Sequence, residues 1–288
     1  MTTEHAFIAA LRGLATHPAA RGLNDDCAVI DFGAETLILT HDAMAEGVHY
    51  LAGQDPADVA WKLVASNLSD LAAKGAEPLG VLLGYQLGAD DARFVAGLDE
   101  VLAHYNVPLL GGDTISATGA QVLGLTALGR ATHRPVPSRS GAQAGDSLWL
   151  TGPVGAAMFG FEALKASNGD SLAYRRPTAL LAEGRALAPV VSAMMDVSDG
   201  LLLDARRMAE ASQVTIDIDT QAVPIATPEV RRDEALRWGD DYQLLFALAS
   251  GTSPTITAHR IGRVLPQGPA PLLLDGAEPS GTLGYEHR

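Results

Sequence analysis

Acidic clusters recur in this chain where a β-type run ends or a helix meets a loop, and they are set in apolar text. Five are Asn24-Asp25-Asp26, Thr40-His41-Asp42, Asn67-Leu68-Ser69-Asp70, Gly111-Gly112-Asp113-Thr114 and Asp196-Val197-Ser198-Asp199-Gly200; Gly239-Asp240-Asp241 is similar. Ordinary surface acids lie on helix faces among lysines, whereas LLGGDT and MMDVSDGLLLD offer no such company. Taken singly, each cluster also fits a turn or cap, a common role for Asp. Taken together they restrict the fold. If such acids converge, their mutual repulsion calls for a cation, and Mg²⁺ fits, being octahedral, oxygen-liganded and usually shared with substrate phosphates.

The charge balance agrees. Lys plus Arg is 20 and Asp plus Glu is 34, a net charge of −14, which argues against duplex nucleic acid and anionic membrane as partners. Asp outnumbers Glu by 22 to 12, and the only lysines are Lys62, Lys74 and Lys165. Solubility alone would not favour Asp over Glu. Apolar residues make up 47%, enough for a sizeable core and too many for disorder. The chain has no apolar run of about 18 residues, so no spanning helix is expected. The start, MTTEHAFIAALRGLA, reads as an amphipathic helix rather than a signal peptide, and the expected location is cytoplasmic. A single cysteine, Cys27, excludes an intramolecular disulfide and reads as a small buried hydrophobe.

Along the chain, spacing predicts helices over 4–15, 56–73, 91–105, 154–167, 178–191 and 200–211, with another near 228–237. Strands are expected over 27–32, 36–42, 79–87, 107–111, 121–131, 147–151, 193–197, 214–218, 242–248 and 259–264. Asp55-Pro56 reads as a cap followed by a first-turn proline, and Gly75 as the stop. The stretch THRPVPSRSGAQAGD, 132–146, is rich in Pro and Gly and poor in apolar bulk, which marks a boundary. Two α+β domains follow from it, 1–135 and 136–288.

In WKLVASNLSDLAAKG the residues Trp61, Val64, Leu68 and Leu71 form one stripe, with Asn67, Asp70 and Lys74 on an adjoining face. Asp70 there either pairs with Lys74 or joins a metal site. There is no P-loop, no protein-kinase catalytic set, no GxSxG and no HExxH. Any phosphates would be neutralised by metal ions and a few Arg. Gly111-Gly112-Asp113 is expected to form a tight turn whose backbone N–H groups approach a phosphate.

The segments NDDCAVI, LTHDAMAEGVHY, VAWKLVASNLSDLAAKGAEP, LLGGDT, SRSGAQAGDSLWLTG, MMDVSDGLLLD and WGDDYQLLF resemble the thiamine-monophosphate kinase family, in order and over nearly the whole chain. DVSDG or GGDT alone would indicate only the wider aminoimidazole ribonucleotide synthetase-like superfamily. The resemblance implies a PurM-like fold. Its N-terminal α+β domain would form a β-barrel across a homodimer, and an α/β C-terminal domain would follow. It implies the reaction of ATP with thiamine monophosphate to give ADP and thiamine diphosphate, by direct in-line transfer with several Mg²⁺ ions. Asp42, Asp70 and Asp113 are implied to be catalytic. Implied metal ligands are Asp26, Thr40, His41, Asp42, Asp70, Asp113, Asp196 and Asp199. Implied ATP contacts are Gly112, Asp113, Arg139 and Ser198, and implied substrate contacts are His49, Asp240 and Tyr285. Three positions depart from the family pattern. Asn24 stands where Gly is usual, His41 replaces an oxygen donor such as Thr, and Asp240 is one methylene shorter than the usual Glu.

Other residues read as structure. Trp61 and Trp149 are expected in the core, Trp238 either in the core or at the substrate site. Arg206-Arg207 and Arg231-Arg232 are expected on solvated helix faces, and Arg175-Arg176-Pro177 at a helix entry or a phosphate. His104, His133 and His259 are expected on the surface. Two other functions stand beside the kinase. One is a related ATP-dependent phosphoryl-activating enzyme resembling selenophosphate synthetase, whose pattern wants a reactive Cys near a Gly-rich N-terminus. The other is a nucleotide- or thiamine-binding protein without turnover, in which so many repelling carboxylates have no purpose. The β-type segments over 27–131 would leave open edges in a monomer, so a homodimer is expected.

Overall fold

Helix α2 (Pro56–Ala73) lies inside the protein although Asp58, Lys62, Ser66, Asn67, Ser69 and Asp70 interrupt its apolar surface. Fifteen of its residues are buried. The Asp55 side chain accepts a hydrogen bond from the Ala57 amide, Pro56 fills the first turn, and the chain turns at Gly75 with φ 59°. The computed structural model describes residues 4–287.

Around α2 are packed β1 (Ala28–Phe32), β2 (Glu35–Ala45), β3 (Ala76–Gln86), β4 (Leu109–Ile115) and β5 (Val122–Ala131), with α1 (Glu4–Arg12) before them and α3 (Asp91–Tyr105) between β3 and β4. The five strands form one sheet in the order β1-β2-β5-β3-β4, antiparallel except for the parallel pair β3–β4. One side of α2 packs on β2, β3 and β5, and α2 also touches α3. The contact with α3 is close because Gly97 has no side chain: a Cβ there would lie 2.3 Å from the Ala57 Cα.

The second half carries β6 (Ser147–Leu150), α4 (Ala156–Ala166), α5 (Leu172–Arg175), α6 (Leu181–Leu187), β7 (Ala193–Asp196), α7 (Leu201–Ser212), β8 (Thr215–Ile218), α8 (Arg232–Arg237), β9 (Leu244–Leu248), β10 (His259–Leu265) and β11 (Leu272–Leu274). The sheet order is β11-β8-β10-β6-β9-β7. Only β8–β11 is parallel. The expected α/β pairing is therefore corrected: this half is α+β, with a mixed and mostly antiparallel sheet. Helix α2 reaches across to α5, α6 and β7, so it joins the two halves.

Three other expectations shift. The helix predicted over 178–191 is the shorter α6; Ala188 is still helical, and Pro189, which has no N–H to give, cannot continue the hydrogen-bond ladder. The GGD segment is not a tight turn. It runs inside β4, with Gly112 opposite Leu83 and Asp113 opposite Gly84. Glycine is required there by close approach, since a Cβ on Gly112 would lie 2.0 Å from the Leu83 carbonyl oxygen. Strand β3 begins earlier than expected, and Pro78 is accommodated by a register shift between Pro78 and Gly80. Strand β11 was not anticipated; three residues carry too little pattern to read.

Candidate active site

Strand periodicity builds the first wall of the site. Along β2, Thr40 and Asp42 face inward and His41 faces outward, as a period of two requires. Helix α2 lies beneath and supplies Asp70. The Thr40 hydroxyl donates to Asp70 Oδ2, and the Asp42 amide donates to Asn67 Oδ1 at 3.0 Å. Strand β7 ends at Asp196, which accepts from the Ser69 hydroxyl at 2.7 Å. Carboxylate oxygens of Asp26, Asp70 and Asp196 lie within 4.8 Å of one another. They face a cleft of about 1720 Å³ that Asp42, Ser198 and Asp199 also line.

These acids do not share one electrostatic environment. Burial, with Asp42 and Asp196 nearby, pushes Asp70 well above the usual carboxylate range. Burial and Asp26 push Asp196 up to about 8, and burial with Asp199 and Asp26 pushes Asp42 up to about 6. Asp25 moves the other way: Lys74 and Arg21 overcome the upward push of burial and hold it well below the ordinary range. Lys74 Nζ is 2.5 Å from both Asp25 Oδ1 and Asp26 Oδ2, and its side chain is 0% exposed. The proposed Lys74–Asp70 pair therefore does not form. Although burial opposes it, Lys74 is held above the usual lysine range by Asp26 and Asp25. Arg139 donates to the other Asp26 oxygen. Arg139 lines the cleft, and its Nε is buried with no hydrogen-bond partner among the described residues.

The DVSDG loop is locked against the Gly239 loop. Asp240 donates its amide to the Ser198 carbonyl at 2.8 Å, and a Cβ on Gly239 would lie 2.3 Å from that carbonyl oxygen. Gly200, at φ 115°, turns the chain into α7. Asp204 on α7 accepts from the Ser198 and Asp199 amides at 3.1 and 3.0 Å, so it shapes the loop. Arg207 pairs with Asp199 at 2.5 Å and with Asp204 at 2.9 Å and lines the cleft. Its expected place on a solvated face is corrected: the helical repeat carries Arg207 inward while Arg206 pairs with Glu210 at the surface.

The other end of the cleft is aromatic. Phe161, Tyr174, Trp238, Tyr285 and His49 line it. Trp238 stacks near Phe161 at 5.3 Å, which places it at the site. Asp240 sits at φ 66° and pairs with Lys62 at 2.8 Å; the Tyr242 hydroxyl donates to its other oxygen at 3.1 Å. Lys62 also lies 3.8 Å from the Tyr174 ring centre and donates to the His49 carbonyl. The Ala45 amide donates to His49 Nδ1 at 3.0 Å, so the proton of the neutral ring resides on Nε2. Burial and His287 lower the His49 pKa, which keeps that ring neutral near pH 7. Asp241 faces away from the cleft contacts and accepts from the Gly155 and Ala157 amides at the start of α4.

Asp26, Asp42, Asp70, Arg139, Asp196, Ser198, Asp199, His49, Asp240 and Tyr285 thus share one cleft, and Thr40 touches it through Asp70. His41 does not join them. Its ring lies on the opposite face of the sheet, 2.9 Å from the Thr126 hydroxyl. Gly112 and Asp113 do not join them either, because β4 is the exposed far edge of the first sheet. Arg175 and Arg176 hold the buried Asp58 and are structural. Sequence reasoning missed Lys62, Tyr174, Phe161, Tyr242 and Asp204. The one available signal was the rarity of lysine, since two of the three, Lys62 and Lys74, fall in and at the end of the segment that forms α2.

Residues 24–131 match the AIR synthase related protein N-terminal domain, and residues 143–267 match the C-terminal domain of those proteins. Thiamine-monophosphate kinase of Escherichia coli (strain K12) is 35% identical over 251 residues, covering 79% of this chain and 76% of that protein. The enzyme of that name from Caulobacter vibrioides is 36% identical over 253 residues, covering 80% and 72%. Among solved structures, AaThiL complexed with AMPPCP and TMP superposes with a TM-score of 0.88 at 28% identity, covering 99% of this chain and 97% of that one. The fold is therefore shared with that solved structure, and the chain belongs to the thiamine-monophosphate kinase family, a family of kinases among the AIR synthase-related proteins.

Proposed function

We propose that this chain transfers the γ-phosphoryl group of ATP to the phosphate of thiamine monophosphate, giving ADP and thiamine diphosphate, as a cytoplasmic enzyme of thiamine diphosphate synthesis. One observation carries the reading: a single cleft joins a repelling carboxylate cluster at Asp26, Asp70 and Asp196 to an aromatic end built on Asp240, His49 and Tyr285. A relative of the same fold binds an ATP analogue and TMP together.

The donor set fits Mg²⁺: carboxylate oxygens only, closely spaced, with Asp70 raised by burial and by Asp42 and Asp196, and Asp196 raised by burial and by Asp26. Asp26, Asp42, Asp70, Asp196 and Asp199 would hold the ions, with Thr40 steadying Asp70. The bound ions supply neutralisation of charge on the phosphates. The protein positions the groups, because phosphoryl transfer has a loose transition state and needs little covalent help. The attacking atom is a phosphate oxygen of thiamine monophosphate and the leaving group is ADP, in line, with no side-chain nucleophile. The buried Arg139 and the Ser198 loop hold the nucleotide phosphates. His49 presents its neutral Nε2–H to the acceptor phosphate. Asp240 and the aromatic wall, with Tyr285, meet the cationic, planar thiamine moiety.

The domains are read as 1–135 and 136–288, and the assembly as a homodimer. Leu82, Leu109, Leu110, Ile115 and Val122 are exposed around β4, an open edge. Pairing of two copies through that face would cover them and close the first sheets into a barrel. It is also the arrangement in which Gly112 and Asp113, displaced from the cleft of their own chain, reach a nucleotide. His41 would contribute its carbonyl rather than its ring. Incubation with ATP, Mg²⁺ and thiamine monophosphate, followed by chromatography, should yield thiamine diphosphate and ADP in equal amounts. Folded protein that makes neither would defeat the proposal.

A further inference from the structure

The carboxylates at the base of the cleft divide into two groups. Asp25 and Asp26 are supplied with fixed cations. Lys74 bridges Asp25 Oδ1 and Asp26 Oδ2, Arg21 holds the other oxygen of Asp25 at 2.5 Å, and Arg139 holds the other oxygen of Asp26. Asp42, Asp70 and Asp196 have no ion pair among the described residues. Their side-chain partners are neutral hydroxyls, Thr40 for Asp70 and Ser69 for Asp196. The Lys74 ammonium spends all three of its protons on oxygen, the third on the Met194 carbonyl at 3.3 Å. Two carboxylates and a backbone carbonyl around a buried positive charge make up the oxygen shell that a hard metal ion would take.

We propose that Lys74 is a built-in cation that takes the place of one divalent ion at the Asp25–Asp26 pair. It rests on the reading of the neighbouring carboxylates as cation ligands. A lysine delivered from the end of α2 is always present, so Asp25 and Asp26 are compensated before any ion arrives. Divalent ions are left for Asp42, Asp70 and Asp196, with Asp26 at the border between the two groups. The covalent tether also fixes the Asn24-Asp25-Asp26 loop to α2 and to β7, so the floor of the cleft is set by the fold rather than by ion concentration.

The test uses the full chain without nucleotide, with Mn²⁺ as probe. Bound Mn²⁺ is counted by equilibrium dialysis, and melting temperature is followed with and without it. In Lys74→Met the Asp25–Asp26 pair loses the cation that bridges it and keeps only its outer pairings with Arg21 and Arg139. The variant should melt well below wild type in EDTA, recover most of that loss in Mn²⁺, and bind one more Mn²⁺ per chain than wild type. The double variant Asp25→Asn/Lys74→Met removes one negative and one positive charge. It should fold without Mn²⁺ and bind no more ions than wild type. An unchanged Mn²⁺ count in Lys74→Met overturns the proposal. So does a loss of stability that Mn²⁺ leaves untouched, or a failure to fold even in saturating Mn²⁺. Wild type binding no Mn²⁺ would instead count against the wider reading of Asp42, Asp70 and Asp196. The difference between Lys74→Met and wild type decides the role of Lys74 separately.

Discussion

Replacing Asp70 with Asn separates a residue that stores repulsion for a reaction from one that merely holds the fold. Its carboxylate is part-buried at the floor of the cleft, with oxygens of Asp26 and Asp196 within 4.8 Å. Two unit charges at that distance, in an effective dielectric of about 20, repel by about 3 kcal/mol. Protonation of Asp70 or Asp196 relieves part of this, so a net gain of about 1–2 kcal/mol is expected for Asp70→Asn in EDTA at pH 8. For a chain this long, that is a rise in melting temperature of about 2–3 °C. The amide still accepts from the Thr40 hydroxyl, so the local shape survives. Turnover should move oppositely and fall by about 10²–10³, the loss typical of deleting a principal charge-stabilising contact. Asp42→Asn should behave similarly. The double variant should be scarcely worse than either single one, because residues that act as a unit are not additive. Calorimetry in EDTA and turnover in saturating Mg²⁺ test both halves. If Asp70 serves only the fold, stability falls, by about 1 kcal/mol as the bond from Thr40 loses its charged acceptor, and turnover stays near normal. That outcome would refute the argument.

Stability without divalent ions should also decline as pH rises from about 5 to about 8.5. Asp42 and Asp196 titrate near 6 and 8 in the fold, above the ordinary carboxylate value of 3.8. The folded state therefore keeps protons that the unfolded chain has lost, and stability present at low pH is lost as pH passes through those values. Mg²⁺ should restore more at pH 8 than at pH 6, and a flat melting curve in EDTA across this range would rule out the repulsion. Asp58→Ala, which strips Arg175 and Arg176 of their buried partner, should cost about 2–3 kcal/mol in urea denaturation yet leave turnover per folded molecule unchanged; a selective loss of turnover would instead return those arginines to a phosphate role. Leu110→Lys on the exposed β4 should convert a dimer into a 30.0 kDa monomer in light scattering, and persistence of the dimer would place the interface elsewhere.

Local chemistry was enough to read much of this protein from its residues. Asp55, Pro56 and Gly75 bound α2 where capping chemistry predicts, and α3 spans the predicted 91–105, because those signals act within a turn of the chain. The apolar text around the acids marked the clusters, although Asp42, Asp70 and Asp113 lie within β2, α2 and β4 rather than at the element ends expected, and the resemblance named their family. Pairing direction was not legible. The second sheet is mostly antiparallel although helices alternate with its strands, since strand order depends on contacts far apart in the chain. Nor could the partners of the charges be read. Spacing of four on α2 suggested Lys74 for Asp70, but the lysine stands at the helix end and turns to Asp25 and Asp26, almost fifty residues earlier. Asp113, like Asp70, follows an apolar run, yet β4 sets it on an outer edge. Sequence shows which groups are costly to bury; only the tertiary structure decides which of them meet, because electrostatic cost depends on distance in space and on water being excluded between them.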